Sequence, residues 1–258
     1  MMVGEIFKYA APKVCLEILH QILVEIWNTA QIPTSMGKAI MITLFKKGDS
    51  HLCTNYRGIT LLSHCLKVIS RIINDRLMWY FKEHCFFPES QYGFREKRST
   101  VDMVISLRMI QSAWKEKISL YTFALIDIAK AYNSVKRELL WKLLERNGIP
   151  PKPLRLIQAA YEAIRCSVRF NDFESDFFQI IQGVLQGDIS SPTLFNVFFG
   201  FIIKMIHDTL GEMGIKLRFR LDGSLFDLRR LKAKSKIFWS YCLLLLLLFV
   251  LKIKKKCK

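Results

Sequence analysis

The chain has 258 residues, 51% of them hydrophobic and 24% charged, which excludes a disordered polyelectrolyte and is enough to fill the core of one or two domains. Its formal net charge of +17 points to a polyanionic partner, either nucleic acid or an anionic membrane surface. Seven cysteines, an odd number without a CxxC pair, exclude a disulfide framework; with no signal-like opening they lead us to expect reduced thiols in the cytosol or nucleus.

In chain order, apolar residues at helical spacing from Val14 to Trp27 predict an amphipathic helix, with Pro33 as a breaker beyond it. Lys38–Phe45 reads as a strand entering the basic turn Lys46-Lys47-Gly48-Asp49. A helix is expected over Leu61–Phe81, with Leu62, Leu66, Ile69, Ile73 and Leu77 on one side. Ser99-Thr-Val-Asp102 has the form of a capping box that opens another helix. Cys53, His64-Cys65 and His84-Cys85 lack the spacing of zinc ligands and are read as packing residues.

Tyr121–Ile128 is apolar and β-prone and reads as a buried strand ending near Asp127. Helices are predicted at 136–147, stopped by Gly148 and Pro150-Pro151, and at 152–164; a hairpin of Cys166–Asn171 and Phe177–Ile181 follows, then a helix over 191–209. Strands, helix pairs and a hairpin without regular βαβ alternation give an α+β fold class. The charge is uneven: residues 216–258 hold 13 basic residues against 2 acids, most of the net +17.

An acid that ends an apolar strand, as Asp127 does, faces water, a cationic partner or a metal ion, because a lone buried carboxylate is costly. Downstream, Gly183-Val-Leu-Gln186-Gly187-Asp-Ile-Ser-Ser191-Pro192-Thr-Leu-Phe195-Asn196 combines a glycine turn, an amide side chain and a Ser-Pro helix start. With Ile42–Asp49, Asn55-Tyr-Arg57-Gly-Ile-Thr-Leu-Leu62 and Gln91-Tyr-Gly93-Phe94-Arg95-Glu-Lys-Arg98-Ser99-Thr100, these stretches resemble, in order, the motifs of reverse transcriptases from non-LTR retrotransposons of the LINE type.

That resemblance implies the fingers and palm of a right-hand polymerase, with an incomplete palm and no thumb, acting as an RNA-directed DNA polymerase. By the same resemblance its partners are an RNA template, a DNA primer and deoxynucleoside triphosphates. Asp127 would be the catalytic acid and, with the backbone carbonyl of Ile128, a ligand to one side of a site for two Mg²⁺ ions. Lys46, Lys47 and Arg57 would face the triphosphate, Arg57 through its bidentate guanidinium. Tyr132 falls where the family has an aromatic gate against a 2′-hydroxyl, where Phe is more usual, and Asn133 replaces a frequent Asp. Gln186 and Gly187 would shape the floor of the nucleotide site, while Gln91, Gly93, Phe94, Arg95, Arg98, Ser99 and Thr100 would line the template track.

Arg218–Lys236 resembles the hairpin that precedes the family's second acid motif, an aromatic-Ala-Asp-Asp turn. That turn is absent, because residues 237–258 contain no acid. The expected layout is therefore a helical extension at 1–37, a partial reverse transcriptase domain at 38–236 broken off before the turn, and an apolar, Lys-flanked tail at 237–258. The missing strand pair would leave an unpaired edge on the Asp127 strand. The 15 residues Ile237–Leu251 fall short of a spanning helix and leave two readings, weak membrane association or a tail without an evolved role. Polymerase activity is expected to be absent, and a basic RNA- or DNA-binding remnant is the alternative function.

Overall fold

Helix α1 (Pro12–Thr29) buries Ile26 and half-buries Leu19 and Leu23, but Leu16 stays 60% exposed, so its apolar face is narrower than its periodicity suggests. Trp27 anchors it: the Arg76 guanidinium lies 4.0 Å and the Lys152 ammonium 5.6 Å from the indole ring. These contacts belong to a computed structural model that describes residues 12–87, 91–116, 122–210, 215–219, 234–238 and 246–251. Residues 1–11 of the expected extension, the turn around Asp222, Asp227, and the tail residues 239–245 and 252–258 lie outside the described residues.

The chain forms two compact units, Met1–Phe86 with Tyr132–Phe199, and Phe87–Ala131 with Gly200–Lys258. In the first, β1 (Lys38–Phe45) pairs antiparallel with β2 (Tyr56–Leu61), bringing Leu44 opposite Arg57 and Ile40 opposite Leu61. Helix α2 (His64–Glu83) begins at Ser63, whose side chain accepts from Leu66 N. The predicted residues Leu66, Ile69, Ile73 and Leu77 are buried along it, with Phe81 a turn further on. Each such side chain contributes about 1.5–3 kcal/mol on burial. Leu61 ends the strand instead of opening the helix, because Ser63 is the better cap.

Helices α3 (Thr100–Glu116), α4 (Arg137–Arg146) and α5 (Pro151–Ala163) match the predicted segments, and α5 has proline in its first turn. In unit one, α5 packs on α2 and α4. Strand β3 (Thr122–Asp127) lies within the expected apolar run. The expected hairpin is β4 (Arg165–Phe170) with β6 (Phe178–Gln179), and a short additional strand, β5 (Phe173–Glu174), also pairs with β4. The edge of β1 receives β4 in parallel, Lys38 opposite Arg165, over a connection long enough to hold helices, as parallel pairing needs. The strand order is β2-β1-β4-β5, with β6 also on β4.

Helix α6 (Ser191–Leu210) is where the Ser-Pro start predicts it. In the second unit β7 (Ile215–Phe219) pairs antiparallel with β8 (Lys234–Phe238), in keeping with the expected hairpin. Strand β9 (Leu246–Leu251) lies antiparallel on β3, with Asp127 opposite Leu246 and Thr122 opposite Leu251. This departs from the expected unpaired edge. A run of leucine, phenylalanine and valine meets the needs of a ladder, whose bonds use only backbone, and so covers the strand that the missing pair was expected to expose. Among the described residues no helix is long and apolar enough to cross a membrane.

Candidate nucleotide and template site

In the first unit β2 is the edge strand on which the glycine-rich loop hangs. The buried Thr60 donates its amide to the carbonyl of Gln186 at 2.7 Å. Gly187 follows at φ +119°, and any β-carbon there would run into the Thr60 carbonyl oxygen. Only glycine combines that backbone angle with that approach. Arg57, three residues before Thr60, is exposed on the same strand.

The loop is tied equally closely to the segment after β3. Gly183 N donates to Val135 O and Val184 N to Tyr132 O, both at 2.9 Å. Gly183 has φ +82°, and a β-carbon on it would lie 2.7 Å from Asn133 Cα and 2.8 Å from Tyr132 O. The half-buried Tyr132 ring rests 5.1 Å from that of Phe195 in α6, which is itself stacked 5.7 Å from Phe199. Burial pushes the Tyr132 phenol up to about 12, and the Arg57 guanidinium opposes part of that rise. The phenol is therefore neutral at pH 7. Tyr132 and the Gln186-Gly187 pair, far apart in sequence, are thus joined to β2 by backbone hydrogen bonds, and Arg57 on that strand acts on Tyr132 through its charge.

Lys46 and Lys47 sit exposed where β1 leaves the sheet. Their turn is built locally: Lys46 N donates to Asn55 O at 2.9 Å, the Asn55 amide donates to Asp49 O at 2.9 Å, and Gly48 takes φ +96°. This holds two cations on a defined loop.

In the second unit the segment from Gln91 to Thr100 forms one basic loop leading into α3. Arg95 donates to the carbonyl of the buried Gln91 at 3.4 Å, and Tyr92 meets Ser106 Oγ at 3.2 Å and lies 5.5 Å beneath the Arg98 guanidinium. The capping box is formed: Asp102 Oδ2 accepts from Ser99 N at 2.9 Å and from Ser99 Oγ at 2.8 Å, just before Thr100. Gly93 is buried, whereas Phe94 is 45% exposed at φ +54°. A bulky side chain held exposed in the left-handed region is strained, and such strain concentrates at functional surfaces.

Asp127 and Ile128 also belong to the second unit. The strand across from Asp127 carries only Leu246-Leu-Leu-Phe-Val-Leu251, without a single oxygen-bearing side chain. Among the described residues no group of three or more His, Cys, Asp or Glu converges to hold a metal ion. Mg²⁺ takes carboxylate oxygen, and along this strand pair the sequence offers it Asp127 alone.

Three residues that sequence reasoning passed over organise the glycine-rich loop. Arg137 donates from Nε to Gly183 O at 2.8 Å and from Nη1 to Ile180 O at 2.6 Å, and its guanidinium lies 4.8 Å from the Tyr161 ring centre. The Tyr161 hydroxyl is 3.0 Å from Ser191 Oγ and donates to Asp188 Oδ2 at 3.4 Å. Asp188 also accepts from Ser190 Oγ. Burial, then the Asp188 charge, push the Tyr161 phenol far up, while hydrogen bonding by Ser191 and the Arg137 charge oppose them. In sequence Arg137 is one more charge at a helix start and Asp188 one more loop acid; the burial of Asp188 and the half-burial of Arg137 come only from tertiary contacts.

The reverse transcriptase (RNA-dependent DNA polymerase) family matches residues 45–221, more than half of the chain, and the chain belongs to that family. Its relatives are proteins of non-LTR retrotransposable elements. A probable RNA-directed DNA polymerase from transposon BS of Drosophila melanogaster is 32% identical over 169 residues, covering 64% of this chain and 18% of the relative. A 149 kDa protein of transposon TX1 from Xenopus laevis is 27% identical over 179 residues, covering 69% of this chain and 14% of the relative. The chain thus spans under a fifth of either relative's length. Among solved structures, apo telomerase from Candida tropicalis truncated from its C-terminal domain matches with a TM-score of 0.53 at 13% identity, over 87% of this chain and 45% of that one. The likeness shows a shared polymerase-type fold of mixed helix and sheet.

Proposed function

We propose that the chain is the nucleotide- and template-binding part of a retrotransposon RNA-directed DNA polymerase that, as it stands, binds its substrates without joining them. The observation that carries this is the assembly of β2, Tyr132, Gln186 and Gly187 through the Thr60–Gln186 and Tyr132–Val184 hydrogen bonds, with the Arg57 charge of β2 acting on Tyr132. In this reading Arg57, Lys46 and Lys47 neutralise triphosphate and template phosphates. Tyr132 excludes a 2′-hydroxyl, and Gln186 and Gly187 form the floor under the nucleotide. The basic loop containing Gln91, Gly93, Phe94, Arg95, Arg98, Ser99 and Thr100 receives the template strand. Residues 38–236 make up the fingers and a partial palm, flanked by the helical extension 1–37 and the tail 237–258.

Reverse transcriptases use divalent metal ions. Asp127 and the Ile128 carbonyl would supply one side of such a site, while residues 237–258 hold no acid and β9 sets Leu246 across from Asp127. These features support a catalytic defect. The test is extension of a DNA primer on an RNA template with labelled deoxynucleotides, beside filter binding of the same RNA at rising salt. Salt-sensitive RNA retention without incorporation is the expected result. Incorporation above a no-enzyme blank would refute the defect, and RNA retention that ignores salt would refute the template reading.

A further inference from the structure

We infer that Arg137 is the positioning residue of the nucleotide pocket: it locks the glycine-rich loop to the Tyr132 turn and thereby sets the preference for deoxyribose over ribose. The inference rests on the reading of Arg57, Tyr132, Gln186 and Gly187 as that pocket. Its guanidinium grips the loop at two carbonyls, Ile180 and Gly183, on either side of a turn whose Ile181 is 82% exposed and supplies no packing. The Tyr161 ring beneath it is held through its hydroxyl by Ser191 and Asp188, so the guanidinium plane has a fixed seat. The amides of Gly183 and Val184, at the point where Arg137 holds the chain, reach Val135 and Tyr132.

One side chain thus sets the spacing between the loop that carries Gln186 and the backbone that carries the aromatic gate. A gate discriminates by a steric difference of a single hydroxyl, so a displacement of about 1 Å is enough to spoil it. Lysine cannot replace the arginine, because an ammonium on a flexible stem neither bridges two fixed carbonyls with a planar fork nor stacks on a ring.

The test uses the full chain with Arg137→Met and Arg137→Lys, and Arg146→Met on the exposed end of the same helix as a control. Equilibrium dialysis with radiolabelled dATP and ATP in EDTA gives the affinity ratio without involving a metal, and hydrogen exchange reads the Gly183 and Val184 amides. Both Arg137 variants should lower the dATP-to-ATP ratio and speed exchange at those two amides, each on the order of tenfold, the size of one lost charge-assisted hydrogen bond. Amides in α2 should keep their protection, and Arg146→Met should match the parent. If Arg137→Met does not fold, Arg137→Lys carries the test. An unchanged ratio or unchanged exchange in a folded variant overturns the inference alone. A parent chain that binds neither nucleotide, or both equally, overturns the pocket reading and the inference with it.

Discussion

Gly183→Ala tests the link between the glycine-rich loop and the Tyr132 turn. Gly183 sits at φ +82°, where an L-residue loses roughly 1–2 kcal/mol. The new methyl would lie 2.7 Å from Asn133 Cα and 2.8 Å from Tyr132 O, both backbone atoms, so no side chain can swing aside. Relief requires the loop to withdraw, which weakens the 2.9 Å bonds to Val135 O and Tyr132 O at about 1 kcal/mol each. Together these give a loss of about 3 kcal/mol, a large part of the roughly 5–15 kcal/mol that holds a domain folded. At an m-value near 2 kcal/mol/M the urea midpoint should fall by about 1.5 M, followed by far-ultraviolet circular dichroism. Gly148 provides an internal comparison. Its φ is +81°, and the atom a methyl would meet is the Tyr80 hydroxyl, whose displacement would cost one hydrogen bond, that to Asn147 O, where Gly183 would lose two. Gly148→Ala should therefore cost about 1 kcal/mol less than Gly183→Ala. A Gly183→Ala midpoint shift below about 0.3 M, or the reverse order of the two variants, would show that the loop is not pinned as described.

Two further outcomes follow. Ser63→Ala removes the cap of α2, whose side chain accepts from Leu66 N at 3.3 Å and donates to Met36 O at 2.9 Å; thermal unfolding should report a loss of about 1–2 kcal/mol, and an unchanged midpoint would remove the cap from the account. In a 295 nm titration, Tyr132→Phe should delete a phenol that ionises near pH 12, and Arg57→Ala should move that phenol higher still, since Arg57 opposes the rise. The sign for stability follows: the folded phenol keeps its proton above its ordinary value of 10.0, so Tyr132 contributes no pH dependence below about pH 10 and destabilises the fold as pH rises toward 12. A Tyr132→Phe protein with an unaltered alkaline titration would contradict this burial.

Most elements were legible because their signals are local. The face of α2, the strand β1, the capping box at Ser99 and Asp102, and the proline that opens α5 each follow from a period or a cap within a few residues. What was not legible depends on long-range pairing. Nothing in Tyr56–Leu61 announces that its edge amide at Thr60 will meet Gln186, more than a hundred residues on. The short strand β5 exists only because β4 offers it an edge, Asp188 looks like a surface charge until the fold buries it, and Arg137 looks like one until the fold brings it to Gly183 and Ile180. The motif residues around Arg57, Tyr132 and Gln186 were legible as a set through their resemblance to a family. The hydrogen bonds that join them had no sequence signature.

The pairing of β3 with β9 separates two requirements that a polymerase palm normally satisfies with the same strand. A ladder is made of backbone amides and carbonyls, so any extended β-prone segment closes it, and Leu246–Leu251 does so along the whole of Thr122–Asp127. A metal centre is made of side-chain oxygens, and no number of ladder hydrogen bonds supplies one. A chain can therefore retain a polymerase fold, at 22–32% identity to retrotransposon proteins, while the strand opposite its Asp127 has only hydrocarbon side chains. For the same reason, one acid introduced at position 246 would not by itself complete a two-ion site. A single carboxylate there would stand in an otherwise apolar strand, without the second acid that divides the charge of two ions between them.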